Sequence, residues 1–122
     1  MRDIKFRAWT DEGMMPVTRL TFAGSLVYVY DSETDYEYQC NSDNLMQYTG
    51  LKDKNGVEIY EGDICTQLYI RKFGEQDNPR LQGQVTFDAT RGWCVAFEPI
   101  WPNDIEVIGN IYQNKDLLKS FN

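Results

Sequence analysis

The sequence predicts a mainly β chain with short helical segments: a small antiparallel barrel, SH3-like in its second half, preceded by an N-terminal β-meander. Three observations carry that prediction. Aromatic residues make up 14% of the 122 residues and alanine occurs only at Ala8, Ala23, Ala89 and Ala96, a balance that favours pleated strands over a helical bundle. Apolar and polar residues alternate with period two over short runs. Gly, Pro, Asn and Asp separate those runs at regular spacing, the pattern of a barrel or sandwich. With 42% hydrophobic residues the chain can bury an ordinary core. Its length makes one domain, 1–122, with possible sub-lobes at 1–44 and 45–122.

Residues 2–9 alternate, with Ile4, Phe6 and Ala8 on one face and Lys5, Arg7 and Trp9 on the other, which is a half-buried first strand. Asp11-Glu12-Gly13 turns the chain into 14–17. Pro16 lacks a ladder donor there, so this strand starts late or lies at an edge. The run continues over 18–22, and Ala23-Gly24-Ser25 turns again. LVYVY at 26–30 is the most β-prone run of the chain. A polar acidic loop, 31–35, separates it from the strand 36–40. Residues 42–47 are balanced between two states: a short helix capped by Asn41 or Ser42 and ended by Gly50, and a strand over 45–48.

The remainder is organised around 45–65, LMQYTGLKDKNGVEIYEGDIC. Asn55-Gly56 predicts a type I′ hairpin turn, which needs positive φ at both central residues. It joins Leu51 to a strand in which Val57 and Ile59 alternate with Glu58 and Tyr60. Gly50 and Gly62 are further backbone corners, and Asp63 is placed to make an Asx-type turn before the strand from Ile64. Asp53, Asn55 and Glu58 invite a calcium-loop reading, which fails on spacing. With Gly56 at the sixth loop position, Leu51 would hold the first and Gly62 the twelfth, where carboxylates are required. A solvated hairpin tip is the expectation.

LMQYTGLKDKNGVEIYEGDI resembles the signature of the YopX family, small proteins encoded by bacteriophages and prophages. MRDIKFRAW at 1–9 resembles the family's opening and IEVIGNIYQNKDLL at 105–118 its close, so the likeness spans the chain; 10–44 and 66–104 match only loosely. The resemblance implies a phage or prophage protein, mostly β and able to oligomerise, whose molecular function is not established. It supplies no catalytic residues.

Beyond Gly62 the chain reads as strand 64–73, loop 74–80 with Asp77-Asn78-Pro79 as breaker, strand 81–87, turn 88–92, and strand 93–97. Pro99, Pro102 and Asn103-Asp104 make a rigid corner before 105–112. The rhythm GDI, loop, GQVTF, turn, GWCVAF is similar to that of SH3-like barrels, a likeness that does not fix function. Asn114 can cap a last helical segment within 113–121, whose Leu117 and Leu118 are expected to dock on the barrel.

Net charge is −7, from 12 basic and 19 acidic side chains, which on average repels nucleic acid and anionic membrane. Lys5/Arg7 and Arg71/Lys72 are the candidate basic patches, read as solvated strand faces. Cys40, Cys65 and Cys94 form no CxxC pair and the chain has no histidine, so a structural zinc site lacks its usual ligands. The cysteines are expected reduced and buried in a cytoplasmic protein, and the family resemblance implies that the cell is a bacterial host. No apolar run reaches transmembrane length and MRDIKF is no signal-peptide core. Asp31, Glu33, Asp35 and Glu37 alternate on an extended segment and are the candidate metal cluster, set against an ordinary polar loop.

Serine or cysteine catalysis lacks its positioned histidine base. No acid pair is singled out for hydrolysis, and Gly50, Gly56 and Gly62 are too widely spaced for a phosphate cradle. Trp9, Trp93 and Trp101 provide stacking surface, with only Arg7 and Arg91 interleaved. No catalytic, cofactor-binding or metal residue is therefore assigned, and no cofactor. The expected function is non-enzymatic protein–protein contact with self-association as a homo-oligomer, with a host or phage protein as partner. The alternative is a nucleic-acid-binding SH3-like or OB-like module; a metal-dependent hydrolase ranks below both. Gly50, Asn55, Gly56, Gly62, Asp63 and Gly109 are expected to act through backbone geometry alone.

Overall fold

Alternation along the chain becomes antiparallel pairing throughout the computed structural model, which describes residues 5–10, 13–17, 19–24, 26–32, 35–68, 80–96 and 98–119. The chain divides into two compact units, Met1–Tyr48 and Thr49–Asn122. The boundary falls inside one strand.

In the first unit, β1 (Phe6–Thr10) pairs with β2 (Gly13–Val17), Phe6 opposite Val17 and Thr10 opposite Gly13. On its other side β1 meets the start of β6 (Leu45–Lys52), with Ala8 opposite Leu45. β2 is thus an edge strand, where exposed Pro16 deprives no neighbour of a donor. β3 (Arg19–Ala23), β4 (Leu26–Asp31) and β5 (Tyr36–Asn41) form the expected meander. Its register aligns Leu20, Val29 and Tyr38 in one row and Phe22, Val27 and Cys40 in the next. Ala8, Val27, Val29 and Cys40 make the core, with Val17, Leu20, Tyr38 and Leu45 packed against it. Residues 42–48 take both states that the sequence left open. Ser42–Asn44 is a 3-10 turn whose N-cap, Asn41, makes no side-chain cap bond, and Leu45 then enters β6.

In the second unit β7 (Glu58–Tyr60), β8 (Asp63–Leu68), β9 (Arg80–Asp88), β10 (Gly92–Val95), β11 (Glu98–Pro99) and β12 (Glu106–Asn110) precede a single helical turn, α1 (Asp116–Lys119). Five of the strands form a curled antiparallel sheet, a half-barrel, in the order β11-β10-β9-β8-β12. Ile59, Cys65, Val85, Val95, Ile100 and Ile105 fill its core, with Leu51, Trp93 and Val107 packed alongside. Close approach fixes two glycines. A Cβ on Gly83 would lie 2.9 Å from that of Ala96, and one on Gly109 would lie 2.5 Å from Asn114 Oδ1. Gly109 follows a bulge in the β12–β8 ladder.

Several expected boundaries move, each for a local reason. The strand read at 64–73 is described as far as Leu68, and 69–79 lie outside the described residues. The strand read at 93–97 stops at Val95 because Ala96 takes a φ of +49°, a turn conformation. The strand read at 105–112 ends at Asn110, whose side-chain oxygen accepts the N–H groups of Tyr112 (3.0 Å) and Gln113 (2.9 Å). Asn114 does not cap α1 with its side chain. Its carbonyl accepts the Leu117 N–H at 3.0 Å while its Oδ1 turns back to the Asn110 N–H at 3.2 Å.

Candidate interaction surfaces and the turns that hold them

The hairpin between β6 and β7 is built on Asp53. Its Oδ1 accepts the N–H groups of Asn55 (2.8 Å) and Val57 (2.9 Å), and its Oδ2 accepts that of Val107 on β12 (3.0 Å). Asp53 is buried at 5% exposure. Burial works against its charge, but the three N–H donors and the Lys54 ammonium outweigh it and hold the carboxyl below its ordinary value. The expected type I′ turn is not formed. Gly56 has φ +84° while Asn55 is absent from the positive-φ residues, and the Gly56 N–H donates to the Asp53 carbonyl at 3.0 Å. The loop therefore has three residues, a β-turn closed by a left-handed glycine, with Val57 receiving the Asp53 N–H on its carbonyl at 2.8 Å. Asp53 selects this form, because its side chain captures the two N–H groups that a two-residue turn would place elsewhere. At the tip, Asn55 Nδ2 donates to Glu106 (3.4 Å) and Lys54 pairs with it (3.7 Å).

Three more side chains lock turns in the same unit. Gly62 has φ +87°, and buried Asp63 accepts the Tyr60 N–H at 2.8 Å, reaching back along the chain rather than forward as expected. Asp88 accepts from Thr90 Oγ1 (2.6 Å), Thr90 N–H (2.8 Å) and Arg91 N–H (3.1 Å), which with the Arg91 guanidinium bring its carboxyl down to about 2. Gln67, 1% exposed, is satisfied at both ends: its Nε2 donates to the Pro99 carbonyl and its Oε1 accepts the Trp101 N–H, each at 2.9 Å. The Trp101 carbonyl in turn accepts the N–H groups of Asp104 and Ile105. The proline corner is thereby pinned from inside the sheet while the Trp101 side chain stays 42% exposed.

Sequence reasoning passed over Gln67 and Asn110, and took Asp53 for a hairpin tip. A signal existed for Gln67. It sits two residues from Cys65, on the same face of the strand, where period-two alternation calls for an apolar residue.

In the first unit the meander leaves aromatic surface uncovered. Phe22 shares its register row with buried Val27 and Cys40 yet is 63% exposed, and Tyr36 is 66% exposed with its ring 6.3 Å from that of Tyr38. β3, which carries Phe22, is an edge of the three-stranded sheet. A polar cleft of about 370 Å³ opens where strand ends meet: Trp9 and Thr10 of β1, Leu26 of β4, the end of β5, and Asn44.

Two of the candidate ligands, Asp35 and Asp53, already hold hydrogen-bond donors. Both Asp53 oxygens hold backbone donors, which ties this carboxylate to the turn and to β12. Of the acidic quartet, Asp35 accepts the Tyr30 hydroxyl, Glu37 stands opposite Tyr30 across the ladder, and Glu33 lies outside the described residues. Among the described residues no three His, Cys, Asp or Glu side chains converge. Lys5 lies over the Tyr48 ring, 5.4 Å from its centroid, and half-buried Arg7 donates to Met46 Sδ at 3.8 Å. Arg7 is thus partly packed, while Lys5 remains exposed, as expected of a solvated face. Arg71 and Lys72 lie outside the described residues. Trp93 packs on the core, edge-on to Phe87 at 5.2 Å. The three cysteines are buried and form no disulfide; burial raises the Cys40 thiol, and raises that of Cys94 against the opposing Arg91 charge. No helix among the described residues is long and apolar enough to cross a membrane.

Comparison with known proteins adds two findings. The model of the family described as "YopX protein" matches residues 5–119. The fold is similar to the crystal structure of protein EF1440 from Enterococcus faecalis, at 27% identity and a TM-score of 0.61, over 97% of this chain and 99% of that one. No curated protein matches the sequence.

Proposed function

This chain belongs to the YopX family, and we propose that it acts by contact rather than by chemistry. In this reading it is a phage or prophage accessory protein that self-associates and engages a protein partner. One observation carries the reading. β3 is an edge strand with Phe22 on it, 63% exposed in a register row whose other members are buried. An edge strand offers unpaired N–H and C=O groups to a further strand. An aromatic ring beside them supplies the apolar area that main-chain pairing lacks.

Sedimentation velocity over a roughly hundredfold range of concentration tests it. The mass is expected to rise from 14.3 kDa in whole multiples. Phe22→Glu, an exposed position that the fold does not need, raises the dissociation constant about tenfold or more. A mass that stays at the single-chain value throughout contradicts self-association.

A further inference from the structure

We propose that the cleft at the end of the meander is a binding site for a neutral saccharide. It lies within one unit of the chain and is independent of self-association through β3. Its volume, about 370 Å³, falls in the range of small-molecule sites, about 300–1,000 Å³.

The composition of the lining selects the ligand. Gln39 and Asn41 are alternate residues of β5 and share a face; both are exposed, and neither carboxamide is engaged by another described residue. Asn44 is held in place because its Nδ2 donates to the Trp9 carbonyl at 3.2 Å, which leaves its oxygen as an acceptor. Among the described lining residues the one ionisable side chain is the Cys40 thiol, which burial keeps protonated. A charged ligand would find no counter-charge among these described residues, in a chain already at −7. That argues against phosphate, nucleotide and free carboxylate.

Carboxamides offer a donor and an acceptor on one planar group, and hydroxyl groups are likewise both. Hydroxyls of a sugar can therefore both donate to and accept from the carboxamides of Gln39 and Asn41. Trp9 and Leu26 add the apolar surface against which the C–H face of a sugar ring can pack. The carboxamides supply the polar contacts and the Trp9–Leu26 surface the apolar one. Together they specify an uncharged ring rich in hydroxyls.

The test is an NMR titration of the ¹⁵N-labelled full chain, following the side-chain amides of Gln39, Asn41 and Asn44 and the indole N–H of Trp9. The probes are neutral mono- and oligosaccharides of glucose, galactose and N-acetylglucosamine, with adenine and adenosine monophosphate as non-saccharide arms. At least one saccharide is expected to give saturable shifts confined to these signals. Gln39→Ala and Asn41→Ala, both at exposed positions, weaken that binding about tenfold each while the remaining spectrum stays unchanged. The proposal is overturned by saturable shifts with adenine or the nucleotide only. Failure of every saccharide to give saturable shifts overturns it equally, as does binding that both variants leave intact.

Discussion

At Asp53 a single carboxylate joins three segments: its own turn, the first residue beyond it, and a strand 54 positions away. Asp53→Asn replaces one oxygen by an NH₂ group, so two donors face each other at whichever oxygen is lost. Chemical denaturation is expected to show a loss of about 1–3 kcal/mol. Gln67→Leu keeps the volume but strands the Pro99 carbonyl and the Trp101 N–H. The Trp101 amide should then exchange with solvent markedly faster, while amides in β9 and β10 keep their protection; unchanged exchange at Trp101 would mean that the pin is idle. The turn-forming nature of Asp53 was legible from its place before Lys-Asn-Gly. Its third partner was not, because a bond across 54 residues is set by tertiary packing and leaves no local trace.

Two glycines of the second unit matter at the scale of the element, for opposite reasons. Gly56 has open space around it and a φ of +84°, so Gly56→Val is a conformational penalty, about 1–2 kcal/mol. Gly109 is crowded by Asn114, so Gly109→Ala costs through sterics, about 1–3 kcal/mol. The observed turn also separates Asn55 from Gly56. Asn55→Ala should stay within about 0.5 kcal/mol, since Asn55 occupies no left-handed position. Comparable losses at both residues would instead mark a two-residue type I′ turn. Strand existence was legible here because alternation is strong in 57–60 and 81–87. Strand ends were not: Ala96 looks like one more strand residue, and only its approach to Gly83 and its positive φ make it a corner. The 42–48 segment stayed ambiguous because Ser-Asp-Asn favours a helical start while Leu-Met-Gln-Tyr suits a pleat. The chain uses each in turn.

For the whole molecule, the stabilising carboxylates set a pH dependence. Asp53 and Asp88 have folded-state values below those of an unfolded chain, Asp88 near 2. Their contribution is thus complete above the unfolded value of about 3.9 and is lost as pH falls through the folded values. Melting temperature should be level from about pH 5 to 8, where no histidine titrates, and fall between about pH 4 and 2. Asp53→Asn should flatten that fall. Fold class was legible at this scale because composition and alternation agree, and family membership was legible from three segments of the chain. Candidate surfaces were not. The exposure of Phe22 depends on what the rest of the chain fails to cover, and the carboxamide cleft gathers residues from β1, β4, β5 and the turn after it.

The most direct test of action by contact is amide hydrogen exchange across Arg19–Ala23, measured at low and high protein concentration. Association through β3 predicts that amides of this strand slow as concentration rises, and that Phe22→Glu abolishes the change. Exchange in β3 that is independent of concentration, with or without the substitution, would contradict it.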